Sequence, residues 1–191
     1  SGGAGRARGR QRGAPVRALR IGAAIVAALL LQATLGPPMA RISLGADFGL
    51  VVVVFVGLTR GPSVGLLTGS VTGLAQDIIA GDIVGLSGLG KTVVGFLAGM
   101  AGLLFIVAQP VPRFVAFALA TILDAASFAG LHALVDPRPV TPQVGPILVR
   151  ALVNAVLGVG AFQAGAWVRR VRRRNGRRAA RDLAGGTRAR S

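Results

Sequence analysis

The stretch Gly61–Gly81, GPSVGLLTGSVTGLAQDIIAG, places a small or acidic residue at every fourth position. The residues at this interval are Gly61, Gly65, Gly69, Gly73, Asp77 and Gly81. An α-helix turns once in 3.6 residues, so these positions form one slowly drifting stripe along one helix face. Small residues at this spacing let a second helix approach closely within lipid, where packing drives association. The stripe therefore predicts a membrane helix packed against another helix of this chain or against a partner chain.

The composition of the 191-residue chain also indicates a membrane protein. Hydrophobic residues make up 52% of the chain and charged residues 15%, with a mean hydropathy of +0.66. Soluble domains carry more charge, at about a quarter of their residues. The chain has no cysteine, which excludes disulfides, thiolate zinc sites and thiol nucleophiles.

Positive charge is concentrated at the two ends of the chain. The first 20 residues contain six arginines and no acid, and residues 169–191 contain ten arginines and one acid. We expect residues 1–17 and 169–191 to be basic disordered tails that flank a transmembrane domain over residues 18–168. The tails lack interleaved aromatic residues, which argues against nucleic acid, and the positive-inside rule accounts for them. Such tails are predicted to bind anionic lipid headgroups at the cytoplasmic surface.

Six apolar runs are predicted to cross the membrane, because a helix needs about 20 apolar residues to do so. The runs cover approximately residues 18–35, 42–58, 63–80, 86–107, 114–135 and 145–168. An even number of spans puts both basic tails on the same side, which the positive-inside rule makes the cytoplasm. The predicted fold is an all-α integral membrane protein with six transmembrane helices and both termini in the cytoplasm.

The segment Gly85–Thr92, GLSGLGKT, matches the phosphate-binding P-loop pattern G-x-x-x-x-G-K-[ST]. A working P-loop lies between a buried strand and a helix of a soluble α/β domain. In this chain the motif is flanked by membrane spans, and Lys91 falls at the outer end of one of them. The predicted architecture therefore excludes nucleotide hydrolysis, and the lone His132 suggests neither a metal site nor a catalytic triad.

Five charged residues fall within or close to the predicted spans. They are Asp47, Asp77, Lys91, Asp124 and Arg150. A charge facing lipid costs several kcal/mol, so we expect these side chains to face the bundle interior, a partner or the membrane interface. We expect an Asp77–Lys91 pair, an Arg150 side chain that reaches Asp124, and an Asp47 that lies near headgroups. Structural pairing or a partner contact is favoured over proton transport, because the chain shows no internal repeat with broken helices.

The stretch from Asp47 to Gly99 opens on an acid, contains an RGP turn and a glycine-stepped helix ending in GLxxD, and continues through GLxxL to GFLAG. In these motifs residues 42–105 resemble the rod shape-determining protein MreD family. The positions that match are Asp47, Arg60, Gly61, Gly65, Gly69, Gly73, Asp77, Gly85, Leu86, Leu89, Gly95 and Gly99.

The resemblance implies a non-enzymatic component of the cell-elongation machinery in the bacterial inner membrane. The family works beside MreC, with MreB filaments inside the cell and with RodA and its penicillin-binding transpeptidase. The implied role is to adjust how MreC regulates peptidoglycan synthesis and thereby cell shape. The implied fold is similar to the six-helix substrate-binding subunits of energy-coupling factor transporters, and no cofactor or metal is implied.

The candidate functional residues form two sets. The set for partner contact or packing is Asp47, Gly65, Gly69, Gly73, Asp77, Gly95 and Gly99. The set of intramembrane charges is Lys91, Asp124 and Arg150.

A vitamin-binding subunit of an energy-coupling factor transporter is the alternative function. A vitamin site needs polar and aromatic side chains grouped near the outer face. The chain has no tyrosine and a single tryptophan, Trp167, at the inner end of the last predicted span. This composition favours the scaffold over the vitamin-binding subunit.

Overall fold

The computed structural model describes residues 4–41, 45–81, 83–104, 109–135 and 144–188, which form six α-helices and no strand. The helices are α1 (Ala4–Arg41), α2 (Phe48–Arg60), α3 (Pro62–Ala80), α4 (Leu86–Leu104), α5 (Pro110–Val135) and α6 (Val144–Arg188). The predicted all-α fold class is therefore confirmed for these ranges.

A one-residue connection at Gly61 joins α2 to α3. Gly61 has a φ of 93°, a value that side chains disfavour, and its N–H donates to the Gly57 carbonyl at 2.9 Å. Pro62 then occupies the first turn of α3, where its missing N–H costs no hydrogen bond. The RGP motif of the sequence is thus the turn that folds α3 back along α2.

The shortest helix, α2, lies at the centre of the bundle and packs against each of the other five. Its apolar residues form the core with residues of α4, α5 and α6. The buried members of this core are Leu50, Val51, Val54, Leu58, Val94, Ala98, Phe117, Ala120, Ala155 and Phe162. The most extensive pairing of helices is between α3 and α4, while among the described helices α1 packs on α2 and α3 alone.

The bundle places apolar side chains outside and several polar ones inside, which is the arrangement expected in lipid. Leu67 is 62% exposed and Ile78 is 67% exposed, whereas Thr72 and Asn154 are fully buried. The apolar exterior supports the interpretation of the chain as a membrane protein.

Four helices of the described part are long and apolar enough to cross a membrane, in the segments Ala18–Leu35, Leu86–Leu104, Pro110–Leu134 and Val144–Val168. The other two helices, α2 and α3, do not meet these criteria of length and apolarity. At 13 residues α2 is about 20 Å long, shorter than the roughly 30 Å hydrocarbon core. Polar residues such as Thr72 and Gln76 lower the hydropathy of α3. The six-span count therefore stays a prediction.

Several predicted helix boundaries differ from those of the structure. The helices α1 and α6 continue through residues 4–17 and 169–188, where we expected disordered tails. In contrast, α2 begins at Phe48 and not near residue 42, because Asp47 caps its N-terminus.

Candidate functional site

Four of the five charged residues singled out in the sequence meet in one cluster, in which Asp47, Lys91 and Asp124 are buried and the Arg150 side chain is 38% exposed. Asp47 precedes α2, Lys91 lies on α4, Asp124 on α5 and Arg150 on α6, so the cluster joins four helices. Two carboxylates face two cations, and the formal charges sum to zero. A neutral set of paired charges is the form in which ionised groups are tolerated away from water.

Asp47 is the centre of this cluster and is only 3% exposed. Its Oδ1 accepts the Leu50 N–H at 2.9 Å, which caps α2. Its Oδ2 lies 3.0 Å from the Lys91 Nζ and 2.9 Å from the Arg150 Nη2. The expectation that Asp47 lies near headgroups is therefore wrong, because its carboxylate is already occupied by a helix terminus and two cations.

Lys91 is 3% exposed and pairs with both acids of the cluster. Besides its contact with Asp47, its Nζ lies 3.4 Å from each carboxylate oxygen of Asp124. The expected Asp77–Lys91 pair is wrong. The expected approach of Arg150 to Asp124 is present at 3.9 Å, although Asp47 is the closer partner of Arg150.

Asp77 instead caps the N-terminus of α4. Its carboxylate accepts the N–H groups of Gly85 at 2.8 Å, Ser87 at 3.2 Å and Gly88 at 3.3 Å. The first N–H groups of a helix have no partner within the helix and favour a negative charge. Lys91 lies more than one turn further along α4, so it turns towards the interior and finds Asp47 and Asp124.

Side-chain amides, which the sequence reasoning left out of the site, hold the backbone around Asp47. Gln32 of α1 donates to the Ala46 carbonyl at 3.1 Å and accepts the Phe48 N–H at 3.0 Å. Asn154 accepts the Asp47 N–H at 2.9 Å and donates to the Thr121 hydroxyl at 3.2 Å. Gln32 and Asn154 could have been identified in the sequence, because an Asn or Gln side chain within an apolar span must find a polar partner there.

A cavity of about 530 Å³ adjoins the charged cluster. All six helices or their termini contribute to its lining, which is Leu29, Gln32, Ala33, Asp47, Gln76, Asp77, Ile79, Ala80, Ser87, Lys91, Asp124, Ala125, Phe128 and Arg150. These residues lie towards the C-terminal ends of α1, α3 and α5 and the N-terminal ends of α2, α4 and α6. We call this end of the bundle the cavity end and the opposite one the tail end.

The glycine stripe of α3 packs directly on α4. A Cβ atom on Gly65 would collide with the Gly95 carbonyl oxygen, and one on Gly69 would collide with the Lys91 carbonyl oxygen. Gly73 likewise faces the backbone of α4 near Ser87, and Gly99 faces Pro62. The stripe therefore packs on another helix of the same chain. This is one of the two alternatives that the spacing predicted, the other being a partner chain.

The chemistry of this site is that of charge pairing and helix packing. The described ranges contain no group of three or more His, Cys, Asp or Glu residues that could hold a metal ion. Lys91, the lysine of the apparent P-loop, points into the bundle and pairs with two carboxylates, so it is not available to a phosphate.

The comparisons with known proteins identify one family. The family model described as rod shape-determining protein MreD matches residues 17–138, which includes the charged residues Asp47, Asp77, Lys91 and Asp124. No curated protein and no solved structure matches the chain.

Proposed function

The chain belongs to the MreD family of rod shape-determining proteins, and we propose that it is a non-enzymatic membrane scaffold that binds MreC and modulates peptidoglycan synthesis. The family match over residues 17–138 carries this proposal. The family acts in rod-shape determination as a structural membrane component and is not a family of enzymes. RodA, its penicillin-binding transpeptidase and, indirectly, MreB are the further partners that we propose.

We propose that all six helices cross the bacterial inner membrane, with the tail end in the cytoplasm. Four helices with suitable length and apolarity and the arginines at both ends of the chain support this orientation. In this arrangement the charged cavity opens towards the outer side. The cavity is consistent with the short length of α2, because that helix begins inside the bundle at its N-cap Asp47, which lines the cavity. The proposed fold remains similar to that of energy-coupling factor substrate-binding subunits.

The paired charges favour a scaffold over transport. Lys91 and Asp124 are nearly fully buried and bound to each other, so neither is left unpaired to bind a substrate. None of the comparisons matches the chain to a vitamin-binding subunit.

Co-purification from membranes tests the proposal. The affinity-tagged chain is expressed with MreC from the same genome, and the eluate is probed for MreC and for an unrelated single-span protein as the control. We expect MreC alone to be retained. Failure to retain MreC, even after cross-linking in the membrane, would contradict the proposal, and binding of transporter ATPase subunits would favour the vitamin-binding alternative.

A complementation experiment tests the cellular role. Cells that lack the endogenous gene should be round, and expression of this chain should restore the rod shape. Rods in the absence of the chain would show that shape does not depend on it.

A further inference from the structure

A second, smaller cavity lies on the outside of α2, between α1 and α6. Its volume is about 240 Å³. Both α1 and α6 pack on α2, yet they make no contact with each other within the described ranges. The result is an open groove whose floor is α2 and whose two walls are α1 and α6.

The lining of this groove is almost entirely apolar. Ile21 and Ala24 form one wall, Ala161 forms the other, and Val52 and Phe55 contribute to the floor. An apolar cavity does not hold water well, and an empty one deprives its walls of dispersion contacts. In a bilayer, a flexible hydrocarbon chain is the component that fills such a gap.

Two arginines lie at the tail end of the same groove. Arg20 of α1 and Arg60 of α2 both line it, and both are exposed. Neither has an acidic partner among the residues that the structure describes. The acids with described side chains, Asp47, Asp77 and Asp124, all line the cavity at the opposite end. The groove therefore combines an apolar floor with unpaired positive charge at one end.

We propose that this groove binds one anionic phospholipid from the leaflet at the tail end. One acyl chain lies along Val52 and Phe55, and the phosphate is held by Arg20 and Arg60. Arginine matches a phosphate with a planar fork of donors, and basic pockets between membrane helices at the cytoplasmic surface bind anionic headgroups. The bound lipid joins α1 to α6, which have no direct contact.

Native mass spectrometry of the full-length chain in detergent tests this site. The protein is mixed with equal amounts of phosphatidylglycerol and phosphatidylethanolamine, and the ratio of the two bound lipids is measured. We expect wild type to prefer phosphatidylglycerol and the double variant Arg20→Gln/Arg60→Gln to lose about 30-fold of that preference, since both guanidinium groups favour the net negative charge of phosphatidylglycerol.

A matched control removes the same charge from the tail beyond the groove. The variant Arg172→Gln/Arg173→Gln should keep the wild-type ratio. An equal loss of preference in this control would assign lipid selection to the tail and overturn the proposal. An unchanged ratio in Arg20→Gln/Arg60→Gln would overturn it as well.

A third variant tests the position of the acyl chain. Ala24→Phe puts a bulky ring into the groove and should lower the number of retained lipids of both kinds. Size-exclusion chromatography and circular dichroism establish that each variant is folded. Full lipid retention by a folded Ala24→Phe protein would show that the chain lies elsewhere.

Discussion

At the scale of single residues, the contacts of Asp47 explain why the residue before α2 is an acid. One side chain caps α2 through Leu50 and pairs with Lys91 and Arg150, so it joins three helices at a buried position. The cluster is neutral because its two cations, Lys91 and Arg150, balance its two acids, Asp47 and Asp124. Removal of one member therefore leaves an uncompensated buried charge.

Lys91→Met is expected to destabilise the purified protein by about 3–5 kcal/mol, as is usual when one partner of a buried ion pair is removed. The thermal stability of the protein in detergent measures the loss. Lys91→Arg keeps the charge and serves as the control for side-chain shape.

The addition of Asp124→Asn to Lys91→Met should recover part of this loss, because the remaining Asp47–Arg150 pair is again neutral. The same Asp124→Asn substitution in wild type should be destabilising. Additive effects of the two substitutions would contradict the coupled cluster.

At the scale of helices, α3 and α4 are held together by close backbone contact. Gly65, Gly69 and Gly73 of α3 face the α4 backbone, and Gly95 of α4 faces the backbone of Gly65. A hydroxyl pair between Ser70 and Thr92 at 2.7 Å adds a polar link along the same seam. Such close approach gains dispersion contacts that larger residues would prevent.

Gly69→Ala should lower the stability of the isolated protein by about 1–3 kcal/mol, the usual cost of an overpacked contact. The new Cβ atom would meet the Lys91 carbonyl oxygen, and that backbone atom cannot move without shifting α4. Thermal unfolding in detergent, with no MreC present, measures the effect.

Gly22→Ala in α1 is the matched control, since nothing lies within 4 Å of a Cβ atom at that position. It should be neutral or slightly stabilising, because alanine favours the helix. Equal stability of Gly69→Ala and Gly22→Ala, with loss of MreC binding only in the former, would assign the stripe to a partner and not to α4.

At the scale of the whole molecule, the two ends of the bundle differ in character. The cavity end contains the paired charges and a cavity of about 530 Å³, whereas at the tail end Arg20 and Arg60 have no acidic partner among the described residues. In the proposed orientation, which follows the positive-inside rule, the tail end faces the cytoplasm. The α2–α3 turn would then lie at the cytoplasmic side, although α2 is shorter than the hydrocarbon core.

Single-cysteine labelling tests this orientation, because the wild-type chain has no cysteine and provides the blank. In cells with a permeabilised outer membrane, an impermeant maleimide should label Ile83→Cys at the cavity end. It should label Ser63→Cys, beside the α2–α3 turn, only after the inner membrane is opened. A Ser63→Cys protein that is never labelled would place the turn within the membrane and contradict six spans.

The sequence by itself determined the class of molecule, the positions of the main helices and the family. Apolar runs, glycine steps and the RGP turn are local patterns, and backbone geometry converts them directly into helices and turns. The residues that would be buried charges were also evident, since a charge in an apolar run must find a partner.

Only the tertiary structure decided which partners these residues have. Asp77 and Lys91 are close in sequence, yet Asp77 binds the start of α4 and Lys91 turns to Asp47 and Asp124 on other helices. Pairing depends on the rotation of each helix about its axis, which only the packing of the helices against one another determines. The same packing determined that α4, and not a partner chain, covers the glycine stripe.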